Sequence, residues 1–304
     1  MRNGDSNFQQ PRRKFLQDSG AIAGSLLLPL AACAQNSKEG SPSLVPPGYK
    51  LTFEDDFIDS DVSRINENAT GGKPGAPAWR SRYRHARSEI INSEKQIYVD
   101  AAYTGLGTEP LGIQPFSIAD GILTIRAERT PPALVTKALG KAYTSGCITT
   151  ELTHWQTYGY FEMHARLPRG KGFWPAFWLL PKRLTWPPEI DILEGSGAKP
   201  RSIHVGLLDQ SIKTATTGIW VDDTIDTTDG FHTYAAEWTH EKIVFLVDGK
   251  QIFQVAPHGI HEDMYLLANL ALGSKDAGWI PDPDDSTPFP GKFEIDYIRA
   301  YSKA

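Results

Sequence analysis

The chain has 304 residues, 11% of them aromatic and 22% charged, an ordinary globular composition with apolar material for one large domain or two small ones. Its formal net charge of −5 weighs against a nucleic-acid partner, whose phosphates call for a basic footprint. Twenty-seven Gly and 22 Pro favour many turns.

The N-terminus reads as an export signal over residues 1–33. Pro11-Arg12-Arg13-Lys14-Phe15-Leu16 precedes a weakly apolar run from Ala21 to Ala32. That run is too short to span a bilayer, which needs about 20 residues. The paired arginines followed by Phe-Leu resemble a twin-arginine signal. Leu30-Ala31-Ala32-Cys33 resembles the box in which a cysteine is lipidated, so a membrane anchor at Cys33 is expected. Cleavage after Ala32-Cys33-Ala34 also satisfies the small-residue rule and stays open. The chain is therefore expected in the periplasm, on the cell envelope or secreted. Residues 1–33 hold four basic and two acidic side chains, so the remainder carries −7. That charge disfavours a strongly anionic substrate unless a local patch overrides it.

Residues 34–48 are rich in Ser, Pro and Gly and read as a tether. From 49 to 302 there is no further linker or repeat, so one domain is expected there, and a monomer. Cys147 is the only cysteine after Cys33, which rules out a disulfide within that domain. It reads as a small buried hydrophobe, the alternative being a reactive thiol.

Strand signals dominate this domain. Gly121 to Ala127 alternates behind an Asp120-Gly121 turn. Gly159 to Leu167 alternates too, with Phe161, Met163, Ala165 and Leu167 on one face. Lys242 to Val255 reads as a hairpin about Asp248-Gly249, a dipeptide suited to a type I′ turn. Phe293 to Tyr301 reads as a closing strand. No segment sustains a 3.6-residue apolar period, so the fold class is all-β: a sandwich or jelly roll of two antiparallel sheets.

Glu189-Ile190-Asp191-Ile192-Leu193-Glu194 concentrates three acids among large aliphatics. Burying an unpaired carboxylate is costly, so such crowding calls for a use. Glu189 and Asp191 share a strand face. Glu194 lies five residues from Glu189, and plain alternation would turn it into the core. One extra residue in a β-bulge restores its facing, so a bulge is predicted near Ile192-Leu193. Crowded carboxylates push one another's pKa apart, and a retaining glycosidase needs such a pair about 5–5.5 Å apart. A polar sheet face or a metal site is the competing reading of the acids alone.

The hexapeptide resembles the longer, bulged signature of glycoside hydrolase family 16. Further blocks lie in the family's order. They are Tyr158-Gly159-Tyr160-Phe161-Glu162-Met163, Trp174-Pro175-Ala176-Phe177-Trp178-Leu179-Leu180-Pro181, and Phe231-His232-Thr233-Tyr234 with Glu237-Trp238. Asn269-Leu270-Ala271 follows, then Phe289-Pro290 with Asp296-Tyr297-Ile298-Arg299. The resemblance covers most of 49–302. It implies a curved jelly roll with a concave substrate cleft, Glu189 as nucleophile, Glu194 as general acid/base and Asp191 between them, with no cofactor for catalysis. It also implies that Glu94 and Gln96, less surely Asn92, and Asn269 line the cleft. The spacing of Asn92-Ser93-Glu94-Lys95-Gln96 departs from the family pattern by one residue. Glu54, Asp56 and Asp296 match positions where many members hold a structural calcium; two solvated strand ends are the alternative.

Sugar rings stack on aromatic faces, which makes Trp174, Trp178 and Trp186 candidate platforms, with core packing as their alternative. His204, on the expected next strand, is a further candidate. The resemblance implies a retaining endo-glycosidase acting on β-1,3- or β-1,4-linked glucan, including bacterial exopolysaccharide. Gln114-Pro115-Phe116-Ser117 resembles the exopolysaccharide-cutting group. A non-catalytic glycan binder and a transglycosylase are the rivals on the same fold.

Overall fold

The computed structural model describes residues 44–304 apart from Ile90 and residues 212–215. The expected signal 1–33, the lipidation site Cys33 and residues 34–43 of the expected tether lie outside the described residues.

Two large sheets pack face to face. The first has ten strands, in the order Lys250–Val255, Ile243–Val247, His232–Trp238, Gly159–Arg166, Gly291–Lys303, Ile122–Arg129, Tyr143–Ser145 and Gln96–Tyr98. Tyr49–Asp55 also pairs with Gly291–Lys303, and Phe116–Ala119 with Ile122–Arg129. The second has eight, in the order Thr216–Val221, Ile203–Leu208, Glu189–Gly195, Phe173–Pro181, Met264–Leu272, Cys147–Thr149, Trp79–Arg80 and Ile65–Asn66. The helical segments described are three-residue 3-10 turns. This is the all-β jelly roll expected from the alternation.

Both expected tight turns form. Asp120 and Gly121 sit at φ 53° and 70°, Asp248 and Gly249 at 47° and 73°. Two successive positive φ angles match the twist of a hairpin. The core lies between the sheets. Phe161, Met163, Ala165 and Leu167 enter it from one side, Phe173, Phe177 and Leu179 from the other. Each large side chain buried there stabilises the fold by about 1.5–3 kcal/mol.

The other face of Gly159–Arg166 is covered as well. Tyr160 and Glu162 are fully buried, and Tyr160 lies against Tyr49 and Tyr301. Val45 packs on this cluster, and the Gly48 carbonyl accepts the Ala304 amide at 2.7 Å. The folded body therefore takes in Val45 and Gly48 of the segment expected as a tether, and its last strand runs to Lys303.

Candidate active site

The strand Glu189–Gly195 lies between Phe173–Pro181 and Ile203–Leu208. Asp191 pairs with Gly206 and Glu194 with His204, so Ile192 and Leu193 together oppose the single residue Val205. On the other side Leu193 pairs with Phe177 and Asp191 with Trp178, which leaves Ile192 unmatched. The bulge forms where the parity of the acids requires it. Ile190, Ile192 and Leu193 all enter the core, and Glu189, Asp191 and Glu194 are left on the opposite face.

Each glutamate is held by different donors. The Trp186 indole donates to Glu189 Oε2 at 2.9 Å. The Trp174 indole donates to Glu194 Oε1 at 3.1 Å, and His204 Nδ1 lies 2.7 Å from Glu194 Oε2. Asp191 is buried, and burial first, then the charges of Glu189 and Glu194, hold its carboxyl well above the usual carboxylate range. Its hydrogen bond with Glu189 raises it further. Burial raises Glu189 too, and the Glu194 charge adds to this, while the Trp186 and Asp191 hydrogen bonds oppose it.

Trp174, Ala176 and Trp178 share this face, as their spacing predicts. Both indoles are nearly enclosed, Trp174 at 7% and Trp178 at 9% exposure. Trp178 donates to Asn269 Oδ1 at 2.7 Å and meets Tyr83 edge-on at 5.6 Å. Trp186, at 57% exposure, is the open platform of the three. Asn269 donates to the Tyr98 hydroxyl at 3.1 Å, and that hydroxyl lies 3.3 Å from Glu94. Burial pushes Glu94 up to about 7, against hydrogen bonds from Gln96, Tyr98 and Asn92 and the Lys141 charge. Gln96 accepts the Leu272 amide at 2.8 Å and donates to Glu94 at 2.5 Å. Its two polar atoms are thus spent on the protein, and it braces Glu94. Asn92 and Ser93 sit at φ 51° and 56°, a left-handed turn that absorbs the extra residue of this segment. Cys147 is buried across from Asn269, and burial pushes its thiol up to about 12, as suits an inert packing residue.

Two groups escaped the sequence. Trp220 and Trp279 lie 5.5 and 4.7 Å from the His204 ring, and Trp279 lies 6.2 Å from Trp174, so an aromatic wall flanks Glu194. Tyr83 and Tyr98 form a second wall around Trp178. Trp220 could have been placed from its pairing opposite His204. Trp279 lies outside any strand and carries no such signal.

The expected calcium ligands do not converge. Glu54 accepts from Arg299 at 2.9 Å, Asp296 lies 2.8 Å from His164 Nδ1, and Asp56 accepts the Ile58 amide. Among the described residues no group of three or more His, Cys, Asp or Glu is placed to hold a metal. A guanidinium already neutralises Glu54, so Glu54, Asp56 and Asp296 as they stand do not fit a calcium.

Comparison with known proteins agrees with this geometry. The chain is 36% identical over 256 residues to the endo-1,3-1,4-beta-glycanase EglC of Rhizobium meliloti (strain 1021), covering 83% of this chain and 51% of that protein. It thus spans about half the length of such relatives. It is 32% identical over 299 residues to a beta-glucanase of Rhodothermus marinus, covering 91% of this chain and 92% of that protein. The crystal structure of SCLam, a non-specific endo-beta-1,3(4)-glucanase, superposes with a TM-score of 0.68 at 26% identity, covering 87% of this chain and 95% of that one. Residues 115–299 match the model of glycosyl hydrolases family 16, and the chain belongs to that family.

Proposed function

We propose that the chain is a retaining endo-β-glucanase that cuts β-1,3- or mixed β-1,3-1,4-linked glucan, with Glu189 as nucleophile and Glu194 as general acid/base. The observation that carries this is the bulged strand, which presents both glutamates on one face with distinct partners. Glu194 donates its proton to the glycosidic oxygen while a Glu189 oxygen attacks the anomeric carbon, and the aglycone leaves as an alcohol. Glu194, now a carboxylate, takes a proton from water, whose oxygen displaces Glu189 and leaves the sugar with its original configuration. Asp191, protonated, donates to Glu189 and steadies its charge. His204 and the Trp174 indole orient Glu194. Members of this family need no catalytic cofactor.

The names of the relatives EglC and ExsH, endo-1,3-1,4-beta-glycanases, favour mixed β-1,3-1,4 linkages. Reducing-sugar release from laminarin, mixed-linkage glucan, succinoglycan and agarose tests the reading, with Glu189→Gln as control. Binding without turnover by the wild type would favour a glycan-binding role, and products longer than the substrate a transglycosylase. The basic-then-apolar leader and the Leu30-Ala31-Ala32-Cys33 box of the sequence support a cell-envelope location for this activity; loss of detergent-phase partition in Cys33→Ala tests the anchor.

A further inference from the structure

Two rows of cross-strand neighbours lead away from the acids. In one, Glu194 pairs with His204, and His204 with Trp220 on the edge strand Thr216–Val221. In the other, Asp191 pairs with Gly206, and Gly206 with Gly218. Glycine weakens a strand interior and marks a place where something approaches the backbone closely. At Gly218 that something is the His204 ring. A Cβ on Gly218 would lie 2.7 Å from His204 Nε2 and 2.8 Å from its Cε1, with the Val205 carbonyl oxygen at 3.1 Å. Carbon atoms in contact sit about 3.5–4.0 Å apart, so the imidazole occupies the place of the missing side chain.

An imidazole pushed off Gly218 meets other rings. Trp279 faces it edge-on with centroids 4.7 Å apart, and Trp220 lies 5.5 Å away at a tilt. The segment carrying Trp279 is itself tied down. Ser274 Oγ accepts the Ile280 amide at 3.1 Å, and Lys95 pairs with Asp276 at 3.1 Å and Asp282 at 3.3 Å. Hemmed in this way, the imidazole keeps Nδ1 2.7 Å from Glu194 Oε2, while the Trp174 indole holds Oε1 at 3.1 Å. Both oxygens of Glu194 are thereby aimed, and the aim of Oε2 depends on the space left at Gly218.

We propose that Gly218 is a positioning residue for the acid/base: by carrying no side chain it lets the His204 ring lie where Nδ1 holds Glu194. This rests on the reading of Glu194 as general acid/base given above. Gly218 is exposed, stands on an edge strand and has a φ outside the left-handed region. Alanine there neither opens the core nor strains the backbone, so its effect passes through His204. A misaimed Glu194 delivers its proton poorly to the glycosidic oxygen, and a sugar alkoxide is too poor a leaving group to depart without that proton. A dinitrophenolate departs as the anion and needs none.

The test compares laminarin with dinitrophenyl β-laminaribioside. Gly218→Ala is expected to lower kcat/KM on laminarin about tenfold and to leave kcat/KM on the aryl glycoside within about twofold of the wild type. In a His204→Ala background, where the ring is gone, Gly218→Ala should cost nothing further. An equal fall on both substrates, an undiminished cost in His204→Ala, or full activity of Gly218→Ala on laminarin overturns the proposal. Long-range proton–nitrogen NMR of the imidazoles reports without turnover. The ring-nitrogen signals of His204, assigned by their loss in His204→Ala, should move in Gly218→Ala; unmoved signals overturn the proposal too. Glu194→Ala should show the same split between substrates more strongly. Its absence there, or a wild type that cleaves neither substrate, sinks the reading of Glu194 or of the glucanase instead, and the NMR still decides whether Gly218 places the ring.

Discussion

Among single residues, Glu189 combines the requirements most sharply. It must be ionised to attack, yet burial and the Glu194 charge raise its proton affinity. In the proposed mechanism Asp191 resolves this by keeping its own proton and donating to Glu189. As pH falls, protonated Glu189 stops reacting, so the acid limb of kcat/KM should lie above the ordinary carboxylate range near 4.3. Glu189→Gln removes the nucleophile at constant size and should cost roughly 10⁴-fold or more in kcat with the fold intact. A pH–rate profile and circular dichroism of the two proteins check this. A variant retaining a tenth of wild-type activity would move the nucleophile elsewhere.

Among elements, the bulged strand decides which way the later glutamate faces. Deleting the unmatched Ile192 leaves Glu-Ile-Asp-Leu-Glu, in which plain alternation still turns both glutamates outward. The deletion also removes a core side chain. We expect a soluble variant, destabilised by roughly 2–4 kcal/mol, that keeps more turnover than Glu189→Gln. Urea denaturation and laminarin hydrolysis measure both. A folded variant as inactive as Glu189→Gln would show that Ile192 sets spacing as well as facing. The bulge was readable in the sequence because parity is local: three acids and three aliphatics in six residues admit few arrangements. The hairpins were readable for the same reason, from Asp120-Gly121 and Asp248-Gly249. Contacts set by long-range pairing were not. Trp279 meets His204 across 75 positions of chain, and nothing in its neighbours announces that. The pairing of Glu54 with Arg299, its cross-strand partner 245 residues away, was equally out of reach of local pattern. Gln96 was assigned to the right region, but its tie to the Leu272 amide depends on a partner 176 residues away.

For the molecule as a whole, several carboxyl groups are held where water is scarce. Glu94, Glu162, Asp55, Glu189 and Asp191 all bind protons more tightly when folded than when unfolded. Such groups favour the folded state fully below their unfolded pKa, and the benefit is lost as pH rises through the folded value. For Glu94 the window runs from about 4.5 to about 7 and corresponds to roughly 3 kcal/mol. The melting temperature should therefore be higher at pH 5 than at pH 8, and Glu94→Gln should narrow that difference. Calorimetry at the two pH values decides it; an unaltered difference in Glu94→Gln would mean that Glu94 does not titrate in this range.

The meeting of Gly48 and Ala304 has an architectural consequence. Tyr49 pairs with Lys303 in the ten-stranded sheet, whereas the acids belong to the other sheet and face away from it. Entry and exit of the polypeptide are thus side by side on the back of the molecule. A domain built this way behaves as a cassette: it can be spliced into a longer protein, or circularly permuted, without a join crossing the path of the polymer.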